Sequence, residues 1–371
     1  MHRKSEFLRR KFIHTLGLGA TGAALAPNFT RLMAARATWH VPAEEVLHIR
    51  CWMAWPSSLA IWGSRLLPKI QADIATVAKT IAKYEPVTMC ADGAAAAAAA
   101  QAACGPTVTV ISSIPVNDCW MRDSGPIFRV NDEGGRNAVG LNFNGWGNKQ
   151  ISNKDKFVAQ KVAANVGVRL QAATFVSEGG AIECDGDGTL IATESSIINP
   201  NRNPGKSKAQ LEAAMRSAYG AQKVLWVPGL VGQDITDDHI DATSRFVRPG
   251  VVLVQLAPPY RHDIWAQDAL DQYQILSAST DAKGRPLQVV TIEGPDTTRV
   301  QSPDFLDSYV NYYPANGAII TAQFGDIVKD AAAKATLESL FPRRVVEQLN
   351  VDSLHSGGGG VHCVTQQEPV A

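Results

Sequence analysis

The sequence predicts an α/β protein, and three observations carry that prediction. Apolar runs of strand length recur along the chain, helix-like segments lie between several of them, and the composition suits a packed core. With 45% hydrophobic and 19% charged residues, the chain is too apolar and too mixed for a disordered tail, a collagen-like fibre or a coiled coil. Its 371 residues allow one large domain or two ordinary ones. The runs, in order, are Thr107 to Ile111, Ile127 to Val130, Val224 to Val227, Val251 to Leu256, Gln288 to Ile292 and Gly317 to Thr321. The helix-like stretches are Lys154 to Val166, Lys206 to Tyr219, Ala266 to Ser277 and Ala331 to Leu340. Strands and helices in alternation argue an α/β domain. Ala94 to Ala100 adds a helix built on the residue with the best helix propensity, stopped by Gly105-Pro106. No linker or charge block divides the body, and any internal repeat is structural, because the sequence shows none.

Charge separates the first residues from the rest. Thirty-five Lys and Arg balance thirty-five Asp and Glu, so there is no basic surplus of the kind a nucleic-acid binder carries. Residues 1–37, however, hold seven basic side chains against the single acid Glu6, which leaves a body of formal charge −6. Arg9-Arg10-Lys11-Phe12, a weakly apolar run to Ala26, and Ala35-Arg36-Ala37 as a small-x-small cleavage site resemble a twin-arginine export signal. Leu8 departs from the polar residue usual before the arginine pair. The expected organisation is a signal peptide over 1–37 and a catalytic domain over 38–371, exported to the periplasm. No apolar stretch reaches the roughly 18 residues of a membrane span. The six cysteines, Cys51, Cys90, Cys104, Cys119, Cys184 and Cys363, contain no CxxC pair, which gives little support to structural zinc or a redox pair. A twin-arginine substrate folds before it crosses the membrane, so mostly free thiols are expected.

Four distant segments concentrate ionisable and glycine residues: Asn117 to Pro126, Glu178-Gly179-Gly180, Asp237 to Asp241, and Gly357 to Cys363. Each alone has a bland explanation, such as a turn-forming Asp123, a solvated Glu178 or a flexible glycine loop. Together they suggest chemistry. His239 and Asp241 are two apart, which in a strand places them on one face. Cys363 follows glycines that let a ligand come close, and a thiolate there would be available for attack. A cysteine nucleophile with a distant histidine is a common form of covalent catalysis. Several carboxylates beside them suit a guanidinium, whose planar fork of N–H donors carboxylates accept bidentately.

These residues resemble the agmatine deiminases, one branch of the guanidine-modifying enzymes that also include arginine and peptidylarginine deiminases. The resemblance runs from about Trp52 to Pro369. Its markers are WMAWP at Trp52 to Pro56, NDCWMRDSGPIF at Asn117 to Phe128, FNGWGNK at Phe143 to Lys149, the stretch Glu178 to Pro204, HID at His239 to Asp241, SYVNYY at Ser308 to Tyr313 and GGGGVHCVTQQEP at Gly357 to Pro369. It implies a single-domain five-bladed α/β-propeller, the pentein fold, of ββαβ-like modules around a central site. By the same resemblance Cys363 is the nucleophile, His239 the proton carrier, Asp123 and Asp241 the clamp on the guanidinium, and Glu178 the group that orients His239. Trp120 and Asp118 are further candidates for substrate contact. No metal or organic cofactor is implied. The implied partner is a small guanidine, agmatine first, and a homodimer is among the compatible assemblies.

The chain also departs from the pattern. Asp238 and Ala242 stand where the family usually has Gly and Asn around His-x-Asp, Gly360 replaces the Asn of the Cys loop, and Glu183-Cys184 replaces a usual His. These bear on substrate fit and rate more than on reaction type. The WP and FNGWG segments favour the agmatine branch, whereas export resembles the bacterial peptidylarginine deiminases. Two alternatives stay open: a deiminase of peptidyl-arginine or arginine, and a non-catalytic guanidine- or polyamine-binding protein. His355 and His362 carry less weight, as packing or surface residues more often than a second base or metal ligand.

Overall fold

A computed structural model describes residues 38–371. The expected export signal and its cleavage site lie outside the described residues. The domain is a five-bladed α/β-propeller: five small sheets, four of which repeat one pattern, a tight antiparallel hairpin followed by a crossover to a parallel third strand. Ile127–Val130, Arg136–Gly140 and Leu170–Ala172 form one; Ile182–Cys184, Thr189–Thr193 and Lys223–Val227 the next. Ser244–Arg248, Val251–Leu256 and Gln288–Glu293 form a third, and Tyr313–Ala315, Ala318–Ala322 and Val345–Leu349 a fourth. The fifth joins the chain's two ends. There His48–Ala54, Val87–Cys90 and Val108–Ile111 run parallel, and the C-terminal strand Gln366–Pro369 pairs antiparallel with His48–Ala54. Buried Glu368 fastens this closure by accepting from Trp52 Nε1 at 3.0 Å and pairing with Arg136 at 2.6 Å.

Local sequence explains several elements. Ser207 and Gln210 form a reciprocal capping box that starts the helix Lys208–Tyr219, and Gly220 ends it in the left-handed conformation. The alanine run is the helix Gly93–Cys104, as expected. Residues Leu59–Ile81 are also helical, a segment not evident in the sequence because it contains Pro68 and is broken at Gly63, φ 62°. The three-residue strands Leu170–Ala172, Ile182–Cys184 and Tyr313–Ala315 are too short for an alternating pattern to show.

One expectation is corrected. His239 and Asp241 are not neighbours on a strand: His239 precedes a single 3₁₀ turn, Ile240–Ala242, that leads into Ser244–Arg248. Tight helical turning, not strand alternation, brings the two side chains together.

Candidate active site

The ionisable segments enter the site at equivalent points of the repeat. Asp123, Glu178, His239 with Asp241, and Cys363 all lie shortly before the first hairpin strand of their own blade, or before the C-terminal strand that plays that part in the closing blade. Asn311 takes this place in the remaining blade, just ahead of Tyr313–Ala315. Three of these loops supply Asp123, His239 with Asp241, and Cys363 to one chamber of about 200 Å³, whose lining also includes Trp62, Asp118, Trp120 and Trp146; Glu178 and Asn311 stand behind that lining, against His239 and Cys363. Gly180 packs directly against three of these side chains. A Cβ placed there would come within 2.8 Å of His239 Nδ1, 2.9 Å of Asp241 Oδ2 and 3.0 Å of Asp123 Oδ1. Only glycine leaves room for three functional side chains to approach so closely.

Asp123 sits in the one-turn helix Met121–Ser124. It accepts from Trp146 Nε1 at 2.8 Å and from the Gly180 amide at 3.0 Å. Burial raises its carboxyl above the ordinary range; His239 acts against the shift, while the nearby Asp241 and Glu178 add to it. Glu178 is fully buried, yet it is held below the usual carboxylate range. Burial works against this, but the hydrogen bond and charge of His239 and a two-pronged contact from Arg202 Nε at 2.8 and 3.0 Å prevail. His239 Nε2 lies 3.3 Å from Glu178, and Nδ1 lies 3.8 Å from Asp123. Burial alone would lower this imidazole, but Asp123, Glu178 and Asp241 raise it to about 9. The loop before it is strained: Asp237 and Asp238 both take positive φ, 61° and 69°. The strain is held in place by Arg202 on Asp237 Oδ2 at 2.7 Å and by Ser195 and Thr193, whose hydroxyls donate to the carbonyls of Asp237 and Asp238.

Across the chamber Cys363 Sγ stands 3.8 Å from Asp241 Oδ2 and donates to Asn311 Oδ1 at 3.4 Å. Its loop is fixed to the Asp123 segment, because the Arg122 amide donates to the Cys363 carbonyl at 3.0 Å. The surroundings of Cys363 work against a ready thiolate. Burial, then the carboxylates of Asp241 and Asp123, push this thiol well above its ordinary value. Asp241 itself stays below the usual range: burial opposes this, but His362 Nδ1 approaches Oδ2 at 2.6 Å. His362 Nε2 in turn meets Glu44 at 3.1 Å, and Glu44 is paired with Arg122 and Arg245.

This arrangement matches a known family. A sequence profile of the Porphyromonas-type peptidyl-arginine deiminases matches residues 40–369. The chain belongs to that family. Among its relatives, the agmatine deiminase of Stutzerimonas stutzeri is 36% identical over 363 residues, covering 89% of this chain and 95% of its own length. That of Pseudomonas aeruginosa strain LESB58 is 36% identical over 360 residues, with the same coverage of both chains. The solved agmatine deiminase of Enterococcus faecalis superposes with a TM-score of 0.83 at 29% identity, covering 90% of this chain and 96% of that one.

In this member of the family, four of the five residues expected to carry the chemistry, Asp123, His239, Asp241 and Cys363, line one space with Trp120 and Asp118 on its wall, and the fifth, Glu178, lies behind His239. Asp118 already accepts from Trp62 Nε1 at 2.7 Å, the Cys119 amide at 2.8 Å and Gln150 at 3.0 Å. His355 is a packing residue. It is buried against Phe305 and Phe324, its Nδ1 faces the Leu306 carbonyl, and burial lowers it to about 4. His362 is not: it bridges two carboxylates directly behind the nucleophile. Glu44, Glu183 and His362 cluster closely enough to suggest metal ligands, but Arg122 and Arg245 already supply positive charge to both carboxylates. The sequence does not point to Asn311, Arg202 or Glu44 as site residues, and it offers Trp146 only as one of three motif tryptophans, with Trp52 and Trp120, suited equally to stacking on a substrate or to the core. For Asn311 a signal exists only once the blades are aligned, because it occupies the place that Asp123, Glu178 and Cys363 hold in theirs.

Proposed function

We propose that the protein hydrolyses agmatine to N-carbamoylputrescine and ammonia through an amidino-thioether on Cys363. The observation that carries this reading is the convergence over Gly180 of His239, Asp241 and Asp123, facing the Cys363 thiol. Two carboxylates in one small chamber suit the fork of a guanidinium. Burial and the carboxylates of Asp241 and Asp123 raise the thiol; a guanidinium bound between these two carboxylates offsets their charge, and the thiol proton departs to solvent as the cation enters. The thiolate then adds to the guanidinium carbon, and the imidazolium of His239 protonates the departing nitrogen, which leaves as ammonia. Water adds to the amidino-thioether and gives one proton to His239. The carbon–sulfur bond breaks, the ureido product leaves, and the second proton of the water passes to the thiolate or to solvent. Glu178, anchored by Arg202, holds the imidazole ring toward the reacting carbon. Ammonia release from agmatine, arginine and a blocked arginyl peptide tests the reading. Agmatine should show the highest kcat/KM, and equal or better turnover of the peptide would assign the peptidyl-arginine branch instead.

Export through the twin-arginine route belongs to the same proposal and rests on Arg9-Arg10 and Ala35-Arg36-Ala37. Protein isolated from its host should begin at Thr38, and an intact Met1 terminus in the cytoplasm would refute it.

A further inference from the structure

The catalytic chamber does not end at its own walls. Ile61, Trp62, Asp234, Ala242 and Gly358 line it on one side and a second, larger chamber of about 750 Å³ on the other. An agmatine-sized molecule needs only the first. The second is strongly one-signed. Its wall carries the carboxylates of Asp234, Asp238, Asp296, Asp304 and Asp307, and its single Lys or Arg side chain is Arg261. That guanidinium is already paired with Asp263 and Asp307 at 2.6 and 2.7 Å. Among the described residues Asp234, Asp238 and Asp304 have no cationic partner within salt-bridge distance.

Asp238 is the most informative of these. It is buried, it lines the second chamber, and its Oδ1 has no hydrogen-bond partner, while Oδ2 accepts only the Leu230 amide at 3.0 Å. Its backbone adopts a left-handed φ of 69°, at which a glycine would be unstrained. Asp268 lies beside it, close enough for a hydrogen bond when one of the two carboxyls is protonated, and burial, then the charges of Asp268 and Asp234, push the Asp238 carboxyl well above the ordinary range, a shift that an ammonium group would offset. A fold that places a carboxylate in an unfavourable backbone conformation, buried and short of a donor, leaves an acceptor that a ligand can satisfy. Trp62, Trp265 and Tyr260 supply aromatic surface on the same wall, which suits methylene chains and the ammonium groups between them.

We propose that the second chamber receives the far end of an extended substrate: a guanidinoalkyl polyamine, in which the amine of agmatine is continued by one or more aminoalkyl units. The inference rests on the deiminase reading above and names its substrate class. The guanidinium occupies the Asp123–Asp241 clamp, the chain passes Trp62 and Ala242, and the additional ammonium groups meet Asp238 and Asp234.

The test compares agmatine with agmatine elongated by one aminopropyl unit on its primary amine. Turnover is measured with the wild-type protein and affinity with Cys363→Ala. The elongated compound should show roughly tenfold higher kcat/KM and tighter binding. Asp238→Gly, which suits the local φ, should lower the elongated-to-agmatine ratio about tenfold. Ala266→Trp, placed on the partly exposed wall of the second chamber, should lower the same ratio by steric filling and stands in if Asp238→Gly fails to fold. If agmatine is turned over and the elongated compound is no better, or if both variants leave the ratio unchanged, the chamber has no such role. Failure of both compounds to bind or react would overturn the deiminase reading, and this inference with it.

Discussion

Two histidines in this molecule have nearly the same surroundings and opposite access. His239 stands between Glu178 and Asp123, with Arg202 behind the glutamate, and it faces the chamber. His362 stands between Asp241 and Glu44, with Arg122 and Arg245 behind the glutamate, and it does not line the chamber. Both ring nitrogens of His362 face carboxylates, so for both contacts to be hydrogen bonds one extra proton must be shared along Asp241, His362 and Glu44. In the proposed mechanism the same kind of flanking groups serves two ends, with His239 as the proton carrier and His362 as a brace for Asp241. What separates them is whether a substrate atom can reach the ring.

The sharpest test of this division removes the proposed nucleophile, Cys363. Cys363→Ala should abolish ammonia release while agmatine still binds, because Asp123 and Asp241 remain; calorimetry beside the activity assay reads both. A variant with wild-type turnover would remove the covalent route.

His239→Gln should lower kcat by about 10²–10⁴-fold, the usual contribution of general acid–base assistance. It should also remove a pH dependence of stability. A histidine raised to about 9 in the fold, against about 6.5 unfolded, contributes stability that is complete below the unfolded value and lost as pH rises through about 9. Urea midpoints between pH 6 and 10 should therefore fall more steeply for the wild type than for His239→Gln.

Arg202→Ala leaves Glu178 buried beside His239 without its guanidinium. Breaking a buried pair from one side typically costs about 3–5 kcal/mol. The melting temperature should drop by several degrees, and kcat should fall with it as the imidazole loses its anchored partner. An unchanged melting temperature would show that His239 alone satisfies Glu178.

The smallest effects belong to the brace. His362→Gln should raise KM for agmatine about tenfold, because Asp241 loses its fixed orientation, and should leave the high-pH limb of the rate profile in place. A loss as deep as that of His239→Gln, with the limb displaced, would make His362 a second proton carrier. Asn311→Ala, which deprives the Cys363 thiol of its 3.4 Å acceptor, should cost a few-fold in kcat and little in KM.

The candidate site was legible where long motifs carry it. Asp123, Glu178, His239, Asp241 and Cys363 each stand in a stretch whose residue types suit guanidinium chemistry, and the resemblance assigned their roles. Asn311 and His362 lie within quoted motifs, yet the sequence does not single out the first and gives the second little weight, because their parts depend on which atom stands opposite them. The Asn311 amide nitrogen reaches the Asp241 carbonyl, seventy residues away in sequence, and His362 meets Glu44 across 318. The second chamber left no sequence signal, since its wall is drawn from five separate stretches between Ile61 and Gly358.

By itself, the sequence determined the local elements and the chemical inventory. Alanine propensity made the helix Gly93–Cys104, a capping box began Lys208–Tyr219, and the long apolar run Val251–Leu256 became a strand at the expected residues. These depend on neighbours in the chain, so a linear reading reaches them. Only the tertiary structure decided that His239, Asp241 and Asp123 close in on Gly180, and that burial with the carboxylates of Asp241 and Asp123 raises the Cys363 thiol. Each of these is a sum of burial and Coulomb interactions over groups far apart in sequence. Such sums are set by distance in space, which the closing pair of His48–Ala54 with Gln366–Pro369 helps to fix.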